Sequence, residues 1–306
     1  MTVTRRRLIQ TAAASGALIL GPGLRRVWAQ TTTAVGDAEV MTLSDGHLEL
    51  PESFLLGEAP EAEAREILAA AGVAAGPYRP ECNVTLWRDG DRLVLFDAGA
   101  GPAFMSSAGQ LPDALAAAGI DPGEVTHVVF THAHPDHLWG AVDDFDEPLF
   151  ANAEHLIGGF ELDYWNDPAT LGTIDPARQS FVAGAVRRFE LLGDHLRSFG
   201  TDEEILSGVI AVSTPGHTPG HMSFALHNGA ASMMVIGDAV GNAHLAFARP
   251  DWPAAADQDP EMGAATRVRL MDQLAADAMP MIGFHLPGGG IGRVERAQTG
   301  YRFEQG

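Results

Sequence analysis

Short apolar runs recur along this chain, and each is followed at once by a polar or turn-forming residue. The runs occupy residues 93–96, 125–130, 209–212, 233–236 and 281–284. Their length and their β-branched residues predict buried strands. Asp97, Thr131, Pro215-Gly216-His217, Gly237-Asp238 and His285 follow these runs in turn. Because polar residues at strand ends gather along one edge of a sheet, the pattern predicts a site assembled from distant parts of the sequence.

Other segments have a helical or hairpin pattern. Alanine, leucine and charged residues recur at helical spacing over 59–71, 112–118 and 264–278, and these segments are predicted to be helices. Residues 85–96 predict two strands around a turn at 88–91. From residue 37 onward no linker or fixed-period repeat divides the chain. We therefore predict one domain.

The N-terminal segment is typical of an export signal. Arg5, Arg6 and Arg7 precede a short apolar stretch over 11–20, and Val27-Trp28-Ala29 has the small-residue spacing of a signal-peptidase site. The paired arginines resemble a twin-arginine signal. We predict a signal peptide over 1–29, cleavage after Ala29, a hydrolase domain over 30–306 and a periplasmic location. The alternative is a basic amphipathic helix that stays attached.

Composition excludes several classes of protein. Outside the N-terminus no apolar run is long enough for a permanent membrane anchor. The net charge is −21, and all 19 basic residues are arginine, so nucleic acid is not an expected partner. The single cysteine, Cys82, cannot form an intramolecular disulfide. We interpret it as a small core residue.

One short segment concentrates metal-binding side chains. His132, His134, Asp136 and His137 lie within six residues directly after a predicted strand. Imidazole and carboxylate ligands suit zinc and similar divalent ions, and the lack of cysteine in this motif argues against a closed structural zinc site. The remaining ligands that such a centre needs are available later in the chain, at His217, Asp238 and His285.

These motifs together resemble the five-part signature of metallo-β-lactamase-fold hydrolases. The resemblance implies an α/β (α+β) fold, a four-layer αβ/βα sandwich in a single domain, with two divalent ions, Zn²⁺, at the edge of the sheets. It implies that His132, His134 and His217 hold the first ion. By the same resemblance, Asp136, His137 and His285 hold the second, and Asp238 bridges both.

Further segments resemble the exported branch that contains methyl parathion hydrolase, whose ligand pattern the acyl-homoserine lactonases share. They are residues 97–101, 118–122, 215–221, 285–292 and 300–303. Relatives of this branch often form homodimers, and the resemblance extends that expectation to this chain. Trp139 departs from the family, which usually has glycine there. It is equally compatible with core packing and with contact to substrate.

Several residues outside the ligand set have expected roles of their own. Asp97 ends a strand near the metal loop, and the resemblance makes it an acceptor that orients a ligand histidine. His221 is not expected to be a ligand. Aromatic residues and one histidine in segments that cover the site are expected to pack in the interior rather than line a pocket. These are Phe104, Trp165, His244 and Phe247. Five further histidines are expected to be structural or exposed, namely His47, His127, His155, His195 and His227.

The function that follows is hydrolysis by a metal-bridging hydroxide that attacks a lactone, carboxylic ester or phosphotriester. Asp238 would hold both ions, and Asp136 would also pass a proton to the leaving group. The alternative is a thioester- or persulfide-handling enzyme of the same fold, and after it a β-lactamase. A redox di-iron relative would have a carboxylate at the position of His134. A non-catalytic metal-binding protein would need a site closed by protein ligands.

Overall fold

The computed structural model describes residues 30–306, so the predicted signal peptide lies outside the described residues. Two seven-stranded sheets face each other, and helices cover their outer faces. In the first sheet the strands lie side by side in sequence order. They are β1 (Gln30–Val35), β2 (Ala38–His47), β3 (Glu81–Asp89), β4 (Arg92–Phe96), β5 (His127–Phe130), β6 (Glu154–Gly158) and β7 (Leu196–Phe199).

In the second sheet the remaining seven strands also lie side by side in sequence order. Its strands are β8 (Glu204–Leu206), β9 (Val209–Ser213), β10 (Met222–Asn228), β11 (Ala231–Gly237), β12 (Met281–Gly283), β13 (Ile291–Arg296) and β14 (Tyr301–Gln305). Four neighbouring pairs are parallel, namely β4–β5, β5–β6, β6–β7 and β11–β12. All other neighbouring strands pair antiparallel.

Residues 30–306 also form nine α-helices and four short 3₁₀ helices. The α-helices are α1 (Glu52–Leu56), α2 (Glu61–Ala70), α3 (Leu111–Ala118), α4 (Pro135–Leu138), α5 (Gly159–Asn166), α6 (Thr170–Thr173), α7 (Gln179–Leu192), α8 (Leu245–Ala248) and α9 (Pro260–Ala276). The 3₁₀ helices are Pro122–Glu124, Trp139–Ala141, Pro176–Arg178 and Gly193–His195. No described helix is long and apolar enough to cross a membrane.

Three apolar layers hold the sandwich together. Residues such as Trp87, Val94 and Phe224 pack between the two sheets. Helices α3 and α7 pack on the outer face of the first sheet, and α9 packs on the outer face of the second. Strands β4 to β6 are therefore buried on both faces over most of their length, which explains their apolar runs at 93–96, 128–130 and 156–157. The predicted four-layer, single-domain fold is confirmed.

The predicted elements are confirmed with shifts at their ends. The helix predicted over 264–278 begins earlier, at Pro260, because the side chain of Asp259 accepts a hydrogen bond from the Met262 amide and caps it. The strand predicted over 125–130 begins at His127, since a 3₁₀ turn over Pro122–Glu124 precedes it. The hairpin predicted over 85–96 is present as β3 and β4, with β3 beginning at Glu81.

Candidate metal centre

The segment that carries four of the predicted ligands joins β5 to α4. His132 lies in the loop, and His134 is the residue before Pro135, which begins the helix. A residue that precedes proline is held in an extended conformation, and His134 accordingly has a ψ of 158°. One helical turn then carries Asp136 and His137, so the loop and the turn direct four side chains into the space between the ends of the two sheets.

Three histidines form the first half of the centre. The Nδ1 atom of His134 lies 2.9 Å from Nε2 of His217. The centre of the His132 ring lies 4.6 Å from the centre of the His134 ring and 4.7 Å from that of the His217 ring. The ligand atoms of all three lie within 4.8 Å of one another. Histidines separated by 85 positions in the sequence therefore surround one point.

A histidine and two aspartates form the core of the second half. The Nε2 atom of His285 lies 3.2 Å from Oδ2 of Asp136 and 3.2 Å from Oδ2 of Asp238. His137 adds its Nε2 atom, 3.4 Å from Oδ1 of Asp238. Because Oδ2 of Asp238 is also 3.3 Å from Nε2 of His217, this carboxylate lies between the two halves. The structure thus brings together all seven residues that the sequence analysis named as ligands.

The donor atoms of this cluster fit metal ions. Buried polar atoms normally have a hydrogen-bond partner. Four ligand atoms of the cluster are buried without one, and they are Nε2 of His132, Oδ2 of Asp136, Nε2 of His137 and Oδ1 of Asp238. Imidazole nitrogen and carboxylate oxygen are the usual ligands of zinc. We therefore call these seven side chains the metal centre.

Groups outside the metal centre orient its histidines. The Nδ1 atom of His137 lies 2.8 Å from Oδ2 of Asp97, and Nδ1 of His285 lies 2.8 Å from the carbonyl oxygen of Glu81. The Nδ1 atom of His132 lies 3.0 Å from Oγ1 of Thr131. Each contact occupies one ring nitrogen and leaves the other to face the centre, which is the usual arrangement around bound metals. Asp97 lies where its predicted role requires.

Charge at the metal centre is set by its carboxylates. Burial disfavours the charged form of Asp238, but the imidazoles of His285 and His137 outweigh burial and hold its pKa well below its ordinary value. Burial likewise opposes charge on His137, yet Asp238, Asp136 and Asp97 raise the pKa of His137 well above its ordinary value. The carboxylates thus favour a positive charge in the space between them, and a divalent cation carries such a charge.

Two residues on the loop before α9 also support the metal centre, although no sequence pattern predicted them. Oδ1 of Asp257 lies 3.4 Å from Nδ1 of His217, and its other oxygen is 2.8 Å from Nη1 of Arg267, with both side chains buried. Nε2 of Gln258 lies 3.2 Å from Nε2 of His134. Neither residue follows a strand or belongs to a motif, so the sequence carried no local signal for them.

Glu161 is a third residue that the sequence analysis missed. It lies in the first turn of α5 and is fully buried, and its carboxylate accepts hydrogen bonds from the amides of Ala133 and Gly220 at 2.9 and 3.0 Å. It also accepts one from Thr218 at 2.7 Å. Glu161 therefore joins the loop of His132 and His134 to the loop of His217.

His221 is placed as expected, outside the ligand set. Its Nδ1 atom lies 2.8 Å from Oγ1 of Thr214, and its Nε2 atom accepts a hydrogen bond from the Asp238 amide at 3.0 Å. Both ring nitrogens are therefore occupied. The imidazole acts as a support that holds the backbone next to Asp238.

An apolar cavity of about 280 Å³ opens onto the metal centre. Asp136, Asp238 and His285 form part of its lining. Its apolar walls are formed by residues from several segments, among them Leu48, Leu50, Phe54, Phe104, Met105 and Phe181. Phe104 thus lines the cavity as well as packing against the core, so the expectation of packing alone was wrong for this residue. Trp165 and Phe247 are buried, as expected.

Trp139 packs against α7 and is absent from the lining of this cavity. A Cβ atom at Gly184 would lie only 2.2 Å from Cζ2 of Trp139, so the ring rests directly on the backbone of that glycine. The guanidinium of Arg188 lies 4.4 Å from the centre of the ring, and Phe104 meets it edge-on at 5.8 Å. Trp139 therefore supports a wall of the cavity through Phe104.

The chain belongs to the metallo-beta-lactamase superfamily, whose family model matches residues 78–283. It is 31% identical over 115 residues to the N-acyl homoserine lactonase AttM of Agrobacterium fabrum strain C58, a match covering 37% of this chain and 40% of that enzyme. It is 28% identical over 129 residues to the probable metallo-hydrolase YflN of Bacillus subtilis strain 168, covering 37% and 44% respectively. The match therefore spans less than half the length of each of these two relatives.

Solved structures share the fold over nearly the whole chain. The crystal structure of the hydrolase AbOPH of the beta lactamase superfamily superposes with a TM-score of 0.85 at 26% identity, covering 92% of this chain and 98% of that one. The dizinc quorum-quenching lactonase AidC superposes with a TM-score of 0.86 at 24% identity, covering 91% and 98%. The similarity to AidC establishes the fold alone.

Proposed function

We propose that this protein is a binuclear metal-dependent hydrolase of lactones and carboxylic esters that also accepts phosphotriesters. The observation that carries the proposal is the position of the metal centre, whose buried ligand atoms without hydrogen-bond partners lie beside an apolar cavity. Partial sequence similarity to a lactonase and overall similarity to the hydrolase AbOPH support this class of reaction. We propose Zn²⁺ for both positions because the donors are imidazole and carboxylate.

The bound ions would supply Lewis acidity and a water molecule acidic enough to ionise near neutral pH. The seven side chains of the metal centre would hold them, with Asp238 shared between both positions because it contacts both halves. The apolar walls of the cavity bind the hydrocarbon part of the substrate and exclude water. This arrangement favours neutral, partly apolar esters over strongly charged substrates.

Asp136 is proposed to move a proton as well as to hold an ion. Burial alone would raise the pKa of Asp136, but His137 and His285 outweigh it and hold the pKa below its ordinary value. Asp136 therefore enters the reaction as a carboxylate. Because it lines the cavity, its oxygen can accept the proton that the attacking water loses and pass this proton to the leaving oxygen of the substrate.

A substrate panel tests this proposal with the full chain loaded with Zn²⁺. The panel contains an acyl-homoserine lactone, a p-nitrophenyl ester, methyl paraoxon, a thioester and a cephalosporin. We expect turnover of the lactone or ester that is lost with a chelator and restored by Zn²⁺. Turnover of the thioester alone, despite two bound ions, would contradict the proposal and favour the alternative thioester chemistry.

Two variants make the test specific to the metal centre. Asp238→Ala is expected to lower both metal content and turnover by at least about a hundredfold, because it removes the ligand shared by both positions. Asp251→Ala is the matched control, since Asp251 is an exposed aspartate. Unchanged metal content and turnover in Asp238→Ala would contradict the shared role.

We propose in addition that the protein is exported to the periplasm by the twin-arginine pathway. The support is the sequence of residues 1–29, with three consecutive arginines before a short apolar stretch. N-terminal sequencing of protein from the periplasmic fraction is expected to begin at Gln30, and replacing Arg6 and Arg7 by lysine should keep the protein in the cytoplasm. Cytoplasmic protein that retains its N-terminus would contradict export.

The homodimer is a further proposal, and light scattering should give twice the mass of the mature chain.

A further inference from the structure

The sole cysteine of the chain lies beside the metal centre. Cys82 is the second residue of β3 and is fully buried. Its Sγ atom, a carboxylate oxygen of Asp136 and a ring nitrogen of His285 all lie within 4.8 Å of one another. A thiol, a carboxylate and an imidazole at such spacing are the donor types that bind zinc together.

A second observation points to a ligand at this position. Oδ2 of Asp136 is buried without a hydrogen-bond partner and lies 3.2 Å from Nε2 of His285. The ring of His285 is held in place because its Nδ1 atom contacts the carbonyl oxygen of Glu81, the residue before Cys82. One strand end therefore both orients this histidine and places a sulfur atom next to it.

We propose that Cys82 is a sulfur ligand of the metal ion held by Asp136 and His285. This inference rests on the proposed binuclear centre and adds a donor to one of its two positions. Soft thiolate ligands favour zinc, cadmium and cobalt over manganese and magnesium. The position near Cys82 therefore selects for such ions, whereas the position formed by His132, His134 and His217 has no sulfur donor.

Binding at the sulfur atom replaces the proton of the thiol. A metal ion that coordinates a thiol removes its proton, which is released to solvent when the metal–sulfur bond forms. The step is a simple exchange of a proton for a metal ion, and no oxidant or reductant takes part in it.

Simple packing is the competing explanation for Cys82. The residue belongs to the apolar layer beneath α3 and α7, and buried cysteines often serve as small apolar residues. The two explanations differ in the electronic spectrum of the bound metal. Only direct bonding to sulfur produces a thiolate-to-metal charge-transfer band.

Cobalt is the probe that distinguishes a metal–sulfur bond at Cys82 from simple packing of its side chain. The metal-free full chain is titrated with Co²⁺, and absorption is recorded in the visible range, where bound cobalt absorbs, and in the near ultraviolet, where thiolate-to-cobalt charge transfer occurs. We expect both signals. Because the sequence contains one cysteine, a charge-transfer band can come only from Cys82. Cys82→Ser should abolish that band, keep the visible absorption and weaken Cd²⁺ binding about tenfold.

Cys82→Val is the matched control for packing, because it keeps the apolar volume and removes the sulfur atom. It should lose the band as Cys82→Ser does. Visible absorption without the near-ultraviolet band in the unsubstituted protein would overturn the role of Cys82 and leave the proposed hydrolase intact. A lack of visible absorption would overturn the binuclear centre itself. The spectrum of the unsubstituted protein decides between these outcomes even if neither variant folds.

Discussion

The Nδ1 atom of His137 lies 2.8 Å from Oδ2 of Asp97. The backbone of Asp97 has a left-handed conformation, with a φ of 67°. Such a conformation is uncommon for residues other than glycine, and it persists only where the surroundings hold it. Here the Thr131 amide donates to Oδ1 of Asp97 at 2.8 Å. The strained turn thus places one carboxylate between a ligand histidine and the metal-binding loop.

Replacing Asp97 by asparagine should weaken metal binding about 10- to 100-fold, because an amide holds the His137 ring less firmly and no longer raises the basicity of the nitrogen that faces the metal. Asparagine tolerates the left-handed backbone, so the fold should be kept. Competition with a chromophoric chelator measures the affinity. Asp202→Asn is the matched control, since Asp202 is exposed and also has a positive φ of 56°. Equal affinities in the two variants would rule out this role.

Asp257 is expected to stabilise the fold as well as to orient His217. Asp257→Asn leaves the buried guanidinium of Arg267 without its counter-charge, which should lower the free energy of unfolding by about 3 kcal/mol. Urea unfolding at saturating Zn²⁺ measures the change. Asp146→Asn breaks the exposed pair with Arg187 and should cost less than about 1 kcal/mol. A similar cost for both variants would contradict the prediction.

His155 should make the protein less stable in mild acid. Burial, with repulsion from His195, lowers the pKa of His155 from its ordinary value of 6.5 to about 4. Between pH 6.5 and about pH 4, His155 binds a proton in the unfolded chain but stays neutral in the native chain. The free energy of unfolding should therefore fall as the pH decreases from 6.5 towards 4, by up to about 3 kcal/mol.

The His155→Phe variant tests this dependence, because His155 already stacks on Phe130 with ring centres 6.2 Å apart. The difference in unfolding free energy between the variant and the unsubstituted chain is compared at pH 7.5 and pH 5. The variant should lose less stability in acid. His227→Gln, at an exposed position of β10, should show no such difference. Parallel pH profiles for all three proteins would refute the role of His155.

The cavity walls predict a preference for longer acyl chains. Each methylene buried in the cavity should contribute about 0.8 kcal/mol, or roughly fourfold in kcat/KM, until the cavity is full. A series of p-nitrophenyl esters measures this slope. Leu50→Trp should shift the optimum to shorter chains, because Leu50 lines the cavity, whereas Leu171→Trp at an exposed position should not. A flat series would show that the acyl chain binds elsewhere.

The sequence by itself determined the strands and the ligand-bearing loop, because these features depend on neighbouring residues. The arrangement of the fold was predicted only from the resemblance of the motifs to a family. An apolar run of five residues forms a strand wherever it is buried, and His132, His134, Asp136 and His137 lie close in space because they are close along the chain. Their motif also allowed the distant ligands to be named from a family resemblance. The structure places them at distances from one another that fit this assignment.

Only the tertiary structure decided which other residues surround the metal centre. Asp257 and Gln258 contact ligand histidines, and Glu161 accepts a hydrogen bond from the Ala133 amide between two of them. These three residues lie on loops and a helix that carry no periodic signal or motif. Cys82 looked like a core residue in the sequence, and only the packing of β3 beside His285 brings its sulfur atom to the centre. Such contacts join residues that are up to 203 positions apart, and their distances depend on how two whole sheets pack, which local sequence patterns do not encode.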